Sequence, residues 1–148
     1  MFSSLDQTFF LGYFLRHFVF LGHILKKNLH RFPLSKALRA QCIINNLETS
    51  PESRIIGGAI IHFPEKCRAI NPISYIKSDN PSFYIQHGKL DDIVPYLQSV
   101  ILAEALEAVM GKEKGKLELI ENAGHADPFF FTQKNVNKIL DFLDKCLK

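Results

Sequence analysis

His87-Gly88-Lys89-Leu90-Asp91-Asp92-Ile93-Val94-Pro95 is the stretch on which the fold of this chain turns. Ser82-Phe83-Tyr84-Ile85-Gln86 precedes it, and its aromatic and β-branched residues, set off by Pro81, predict a short buried strand. Residues 97–110 follow, with Leu97, Ile101, Ala105 and Val109 on one stripe joined by Val100, Leu102 and Leu106, which predicts an amphipathic helix. Pro95 suits the first turn of that helix and Gly111 its stop. The plan then repeats. Lys116-Leu117-Glu118-Leu119-Ile120-Glu121 alternates as a strand does, Asn122-Ala123-Gly124-His125-Ala126-Asp127 turns the chain, and residues 136–147 carry an apolar stripe of Val136, Ile139, Leu140, Leu143 and Leu147. Thr132 is the expected N-cap of this last helix.

Residues 88–115 are long enough for the crossover of a parallel β-α-β unit. Parallel strands end on the same edge of the sheet, and sites of open α/β sheets lie outside that edge. Asp91 and His125 stand in matching turns after the two strands. Neighbouring strands are about 4.8 Å apart, so the two side chains are within reach of each other. An aspartate that accepts from one imidazole nitrogen fixes the tautomer and stabilises the imidazolium. Asp92 is the weaker choice, and Asp127 competes as a partner for His125.

His87-Gly88-x-x-Asp91-x-x-Val94-Pro95 followed by Asn122-Ala123-Gly124-His125 resembles the C-terminal part of α/β-hydrolase serine esterases, most nearly the acetyl-esterase and prolyl-oligopeptidase-like branch. Asn71-Pro72-Ile73-Ser74-Tyr75 and Asp79-Asn80-Pro81-Ser82-Phe83 resemble the lead-in to that family's Asp-bearing strand. The resemblance covers roughly residues 54–148. It implies a Ser-Asp-His chain order with Asp91 and His125 in the second and third places, His125 as general base, Asp91 as its orienter, and a small-molecule ester as substrate. It implies no cofactor. The first place is empty: no serine stands in a Gly-x-Ser-x-Gly elbow, and no His-Gly-Gly-Gly oxyanion motif appears. Cys42 and Cys67 lack an elbow's glycines, and Cys146 lies in the last helix. The expectation is a truncated hydrolase, with two rivals. One is an inactive remnant that binds a partner chain, or a second copy of itself, through the face the front half would cover. The other is a membrane-associated protein acting through residues 9–25.

Residues 9–25 are 12 apolar or aromatic residues in 17, and Lys26 and Lys27 follow. A central Arg16 costs about 2.5–3.5 kcal/mol on insertion, so a packed helix is favoured over a membrane anchor. Ser35 is a candidate cap for a helix reaching about residue 45. Residues 48–53 form a loop by composition and divide an apolar segment of unassigned origin, residues 1–50, from the hydrolase-like residues 51–148. Ile55-Ile56-Gly57-Gly58-Ala59-Ile60-Ile61-His62-Phe63 is a continuous apolar run closed by Pro64, as in a strand buried on both faces. Its two glycines suggest close approach of another backbone, and His62 would end that strand on the active edge. Residues 63–78 are expected to be a loop, with Tyr75 a pocket-lining or packing residue.

The fold class expected is therefore α/β: a partial parallel sheet of about three strands with flanking helices. The net charge of +3 is scattered, which argues against a nucleic-acid partner. Three cysteines without C-x-x-C spacing argue for free thiols in a reducing, cytoplasmic setting. His62 and Cys67 have no companions at metal-ligand spacing, so no metal is expected.

Overall fold

The structure, a computed structural model, describes residues 47–148. The helices expected over residues 9–25 and from Ser35 to about 45, and Cys42, lie outside the described residues. The chain divides into two compact units at Asn71 and Pro72.

The described part of the first unit is helical. Helix α1 (Pro51–Ile56) is started by Ser50, whose side chain accepts from the Ser53 N–H at 3.1 Å, with Pro51 in the first turn. It ends at Gly57, which adopts φ 91° in the left-handed region. A 3₁₀ turn (Ile60–His62) and helix α2 (Pro64–Ile70) follow, and Ile56, Ile60 and Cys67 pack as a small core with Phe63 and Ile70 against it.

This overturns the strand expected over residues 55–63. An apolar run has no period of its own, so its ends decide what it becomes. Here a serine cap and proline open a helix, two glycines with positive φ close it, and Pro64 opens the next. Gly58 faces a ring, not a backbone: a Cβ there would lie 2.7 Å from Phe63 Cε2. His62 is exposed on the 3₁₀ turn and ends no strand. Residues 63–78 are likewise more ordered than the expected loop, holding α2 and a 3₁₀ turn (Pro72–Tyr75).

The second unit carries the α/β plan. Strand β1 (Phe83–Gly88), helix α3 (Leu97–Met110), strand β2 (Gly115–Ile120), a 3₁₀ turn (Pro128–Phe131) and helix α4 (Gln133–Leu147) follow in order. β1 and β2 pair in parallel, Phe83 opposite Gly115 and Gly88 opposite Ile120. The sheet has two strands among the described residues, where about three were expected. The shortfall is the helical run at 55–63.

Helix α3 packs on both strands. Its deepest residues are Leu97, Leu102 and Leu106, while Val109 is 47% exposed. The inward row is therefore shifted from the expected 97/101/105/109 stripe. A helix apolar on most sides leaves that choice to the sheet beneath it. Thr132 caps α4, accepting from the Asn135 N–H at 3.3 Å. The α4 stripe is only partly covered, for Leu140 and Leu147 are exposed. No helix among the described residues is long and apolar enough to cross a membrane.

Candidate active site

Because β1 and β2 end level, their two turns leave the sheet side by side. Backbone bonds stitch them: Lys89 N–H donates to Ile120 O at 2.9 Å, and Leu90 N–H to Ala123 O at 3.0 Å. Gly88 makes this approach possible. A Cβ on it would sit 2.2 Å from Ala123 O, a contact no side chain tolerates.

Asp91 folds back over its own turn. Its Oδ1 accepts from the N–H groups of Ile93 at 2.9 Å and Val94 at 2.7 Å. Such an Asx turn anchors the carboxylate to its own backbone. His125 then meets it from the neighbouring turn, Nδ1 lying 2.9 Å from Oδ2 and 3.1 Å from Oδ1. The Asp91 side chain is 8% exposed and that of His125 is 25% exposed. Burial by itself raises the Asp91 carboxyl. Hydrogen bonds from His87, the Val94 N–H, His125 and the Ile93 N–H outweigh it and hold the group down at about 2. A carboxylate that stays ionised can only accept, so Nδ1 of His125 carries the proton and Nε2 keeps a lone pair. Nε2 has no hydrogen-bond partner among the described residues.

The rival aspartates are placed elsewhere. Asp127 caps the 3₁₀ turn, accepting from Phe129 N–H at 2.9 Å and from Gly124 N–H at 3.3 Å. Asp92 is exposed. Ala126, directly after His125, takes φ 52°, an uncommon conformation for a residue with a Cβ. Phe129 and Phe130 meet edge to face at 5.9 Å beneath this turn, while Phe131 is 75% exposed.

Among the described residues no hydroxyl or thiol is hydrogen-bonded to His125 Nε2. Cys67 is 5% exposed with its thiol on Ile60 O, and burial pushes that thiol up, away from the nucleophilic thiolate. Cys146 lies exposed in α4. No cluster of three metal-ligating side chains occurs among the described residues.

Two features escaped the reading of the sequence. His87 Nε2 lies 3.3 Å from Asp91 Oδ2, and Ser99 Oγ lies 2.7 Å from His87 Nδ1. The signal for them was a serine in the first turn of a largely apolar helix. Behind the sheet, Gln86 and Asn135 exchange side-chain bonds at 2.7 and 2.9 Å, and Asn135 also donates to Phe130 O at 3.1 Å. The Tyr84 hydroxyl donates to Glu118, which also accepts from Lys138 at 2.6 Å. Asn135 is only 1% exposed, a burial that an asparagine tolerates only with partners.

The comparisons with known proteins fit this geometry. The family model described as BD-FAE matches residues 29–106, just over half of the chain. The chain belongs to the BD-FAE family. This is an α/β-hydrolase-type esterase family. The matched stretch holds Asp91, and His125 lies beyond its end. Over 63 residues the chain is 38% identical to Esterase LipQ of Mycobacterium tuberculosis (strain ATCC 25618 / H37Rv), covering 43% of this chain and 15% of that protein. It is also similar to the solved bifunctional GH43-CE of Bacteroides eggerthii, at 31% identity and a TM-score of 0.56 over 67% of this chain and 13% of that one. The chain thus spans less than one-sixth of the length of either relative.

Proposed function

We propose that this BD-FAE chain carries the proton-handling part of a carboxylesterase of the Ser-His-Asp kind, with His125 as general base and Asp91 as its orienter. The observation that carries the reading is the two-oxygen contact of Asp91 with His125 Nδ1, which leaves Nε2 without a hydrogen-bond partner among the described residues. In that role Nε2 takes the proton of an attacking hydroxyl, and the ionised Asp91 stabilises the resulting imidazolium. The substrate class is a small carboxylic ester, and the reaction uses no cofactor. The branch favoured is the acetyl-esterase and prolyl-oligopeptidase-like one, because Asp-x-x-Val-Pro and Gly-His recur in its order.

The acyl acceptor is absent from the sequence as an elbow, and so are recognisable oxyanion donors. Loss of the triad serine costs about 2 × 10⁶ in kcat in a well-studied protease. The 148-residue chain is therefore expected to show no turnover of short acyl esters above a heat-killed control. Turnover that disappears in His125→Ala would contradict the reading of a truncated machine. Turnover that survives His125→Ala would place the chemistry elsewhere.

A second reading is a binding module built on the same frame. Leu90 and Ile93, which flank the buried Asp91, are 63% and 55% exposed, an apolar rim suited to a partner surface. Leu90→Ser with Ile93→Ser would abolish binding under this reading. Under the esterase reading the double variant leaves the Asp91–His125 contact intact.

A further inference from the structure

We propose that His87 is a positioning residue for Asp91: a second imidazole, locked by Ser99, that holds the carboxylate in the orientation His125 needs. The inference rests on the assignment of Asp91 and His125 above.

His87 lies at the end of β1, four residues before Asp91, with its side chain 12% exposed. Both ring nitrogens are engaged. Nε2 lies 2.9 Å from Val94 O and 3.3 Å from Asp91 Oδ2, and Nδ1 lies 2.7 Å from Ser99 Oγ. A carbonyl and an ionised carboxylate can only accept, so Nε2 must carry a proton. The uncharged ring then has its lone pair on Nδ1, and the Ser99 hydroxyl, in the first turn of α3, donates to it. A hydroxyl is suited to this place because it can turn and accept if the ring gains a second proton.

Asp91 thereby accepts hydrogen bonds from the Ile93 and Val94 N–H groups and from His125, and the His87 Nε2–H, bonded to Val94 O, also lies 3.3 Å from its Oδ2. The contacts from Ile93, Val94 and His87 are all internal to the segment from β1 to α3, and only that of His125 comes from the neighbouring turn. The two imidazoles differ in access. Both nitrogens of His87 are occupied, while only His125 has one free, so proton transfer belongs to His125. The other charged groups near the two turns point away: Asp127 is tied to Gly124 and Phe129, and Lys89 pairs with Glu121 on the surface.

The test is nuclear magnetic resonance of the full chain with ¹⁵N-labelled histidine and ¹³C-labelled aspartate, on wild type, His87→Phe and His87→Gln. In wild type, uncharged His87 is expected as the Nε2–H tautomer, and His125 Nδ1–H as a far-downfield resonance. His87→Phe keeps the ring volume and removes both ring nitrogens. Its Asp91 carboxyl is expected to titrate higher by roughly one unit, and its His125 resonance to broaden into solvent exchange. His87→Gln, whose amide can stand in for Nε2–H, is expected to restore both. A folded His87→Phe protein with both signals unmoved would overturn the proposal. So would a proton on Nδ1 of His87 in wild type, a measurement that stands if the variant does not fold. A wild-type spectrum without the His125 resonance would instead overturn the Asp91–His125 pairing itself.

Discussion

At the scale of single residues, two backbone demands and one carboxylate set the site. Gly88 is required by contact, since its missing Cβ is the space in which the two turns meet. Gly88→Ala is expected to lower stability by about 1–3 kcal/mol, the usual cost of forcing atoms into a packed site. Chemical denaturation would measure this, and the variant should also lose the Leu90–Ala123 backbone bond, seen as faster amide exchange at Leu90. The carboxylates Asp91 and Glu118 are both held at about 2, below their ordinary 3.8 and 4.5. For Glu118 the chief cause is the Lys138 ammonium, with the Tyr84 hydroxyl next. An acid whose folded pKa is depressed binds fewer protons folded than unfolded. Its stabilising effect is complete above the unfolded value and is lost as pH falls through the folded one. Melting temperature is therefore expected to fall steeply between about pH 5 and pH 2. Glu118→Gln should start lower at neutral pH and fall less over the same range. An unchanged slope in that variant would remove Glu118 from the acid limb.

At the scale of elements, α4 is held to the sheet by a polar clamp as much as by its apolar stripe. Gln86 and Asn135 satisfy each other, and Asn135 also fastens Phe130 O in the segment after His125. Asn135→Ala strips partners from buried groups, at a cost of about 1–3 kcal/mol. Denaturant titration would read the loss, while Asn137→Ala on the exposed side should be near neutral. The elements of the second unit were legible because each has a period and a boundary. β2 alternates, α4 opens at Thr132, and a glycine stands at each of the two turns that follow the strands. The clamp was not legible, since Gln86 and Asn135 are 49 residues apart and nothing local pairs them. Residues 55–63 were misread for the opposite reason. Their apolar content drew attention from Ser50-Pro51 and Gly57, the residues that decide the element. Gly57→Ala is accordingly expected to cost about 1 kcal/mol, because a Cβ is disfavoured at φ 91°.

At the scale of the whole molecule, the described chain holds a hydrogen-bonded Asp91–His125 pair on a sheet of two strands. The pair was legible in the sequence because equal spacing from two parallel strands puts two turns on one edge. The contacts of His87 with Asp91 and Ser99 were not, because His87 served the reading of the sequence only as a landmark before the glycine. The chain covers 15% of its esterase relative, and its sequence has no elbow serine. The proposed base without an acyl acceptor makes one demand that can be checked directly. Intact-mass spectrometry after incubation with a fluorophosphonate, which phosphonylates activated serine hydroxyls, should show the unmodified mass for wild type and His125→Ala alike. A single phosphonyl adduct on a serine of wild type, absent from His125→Ala, would reveal a working nucleophile within these 148 residues and contradict the assignment of an isolated Asp91–His125 pair.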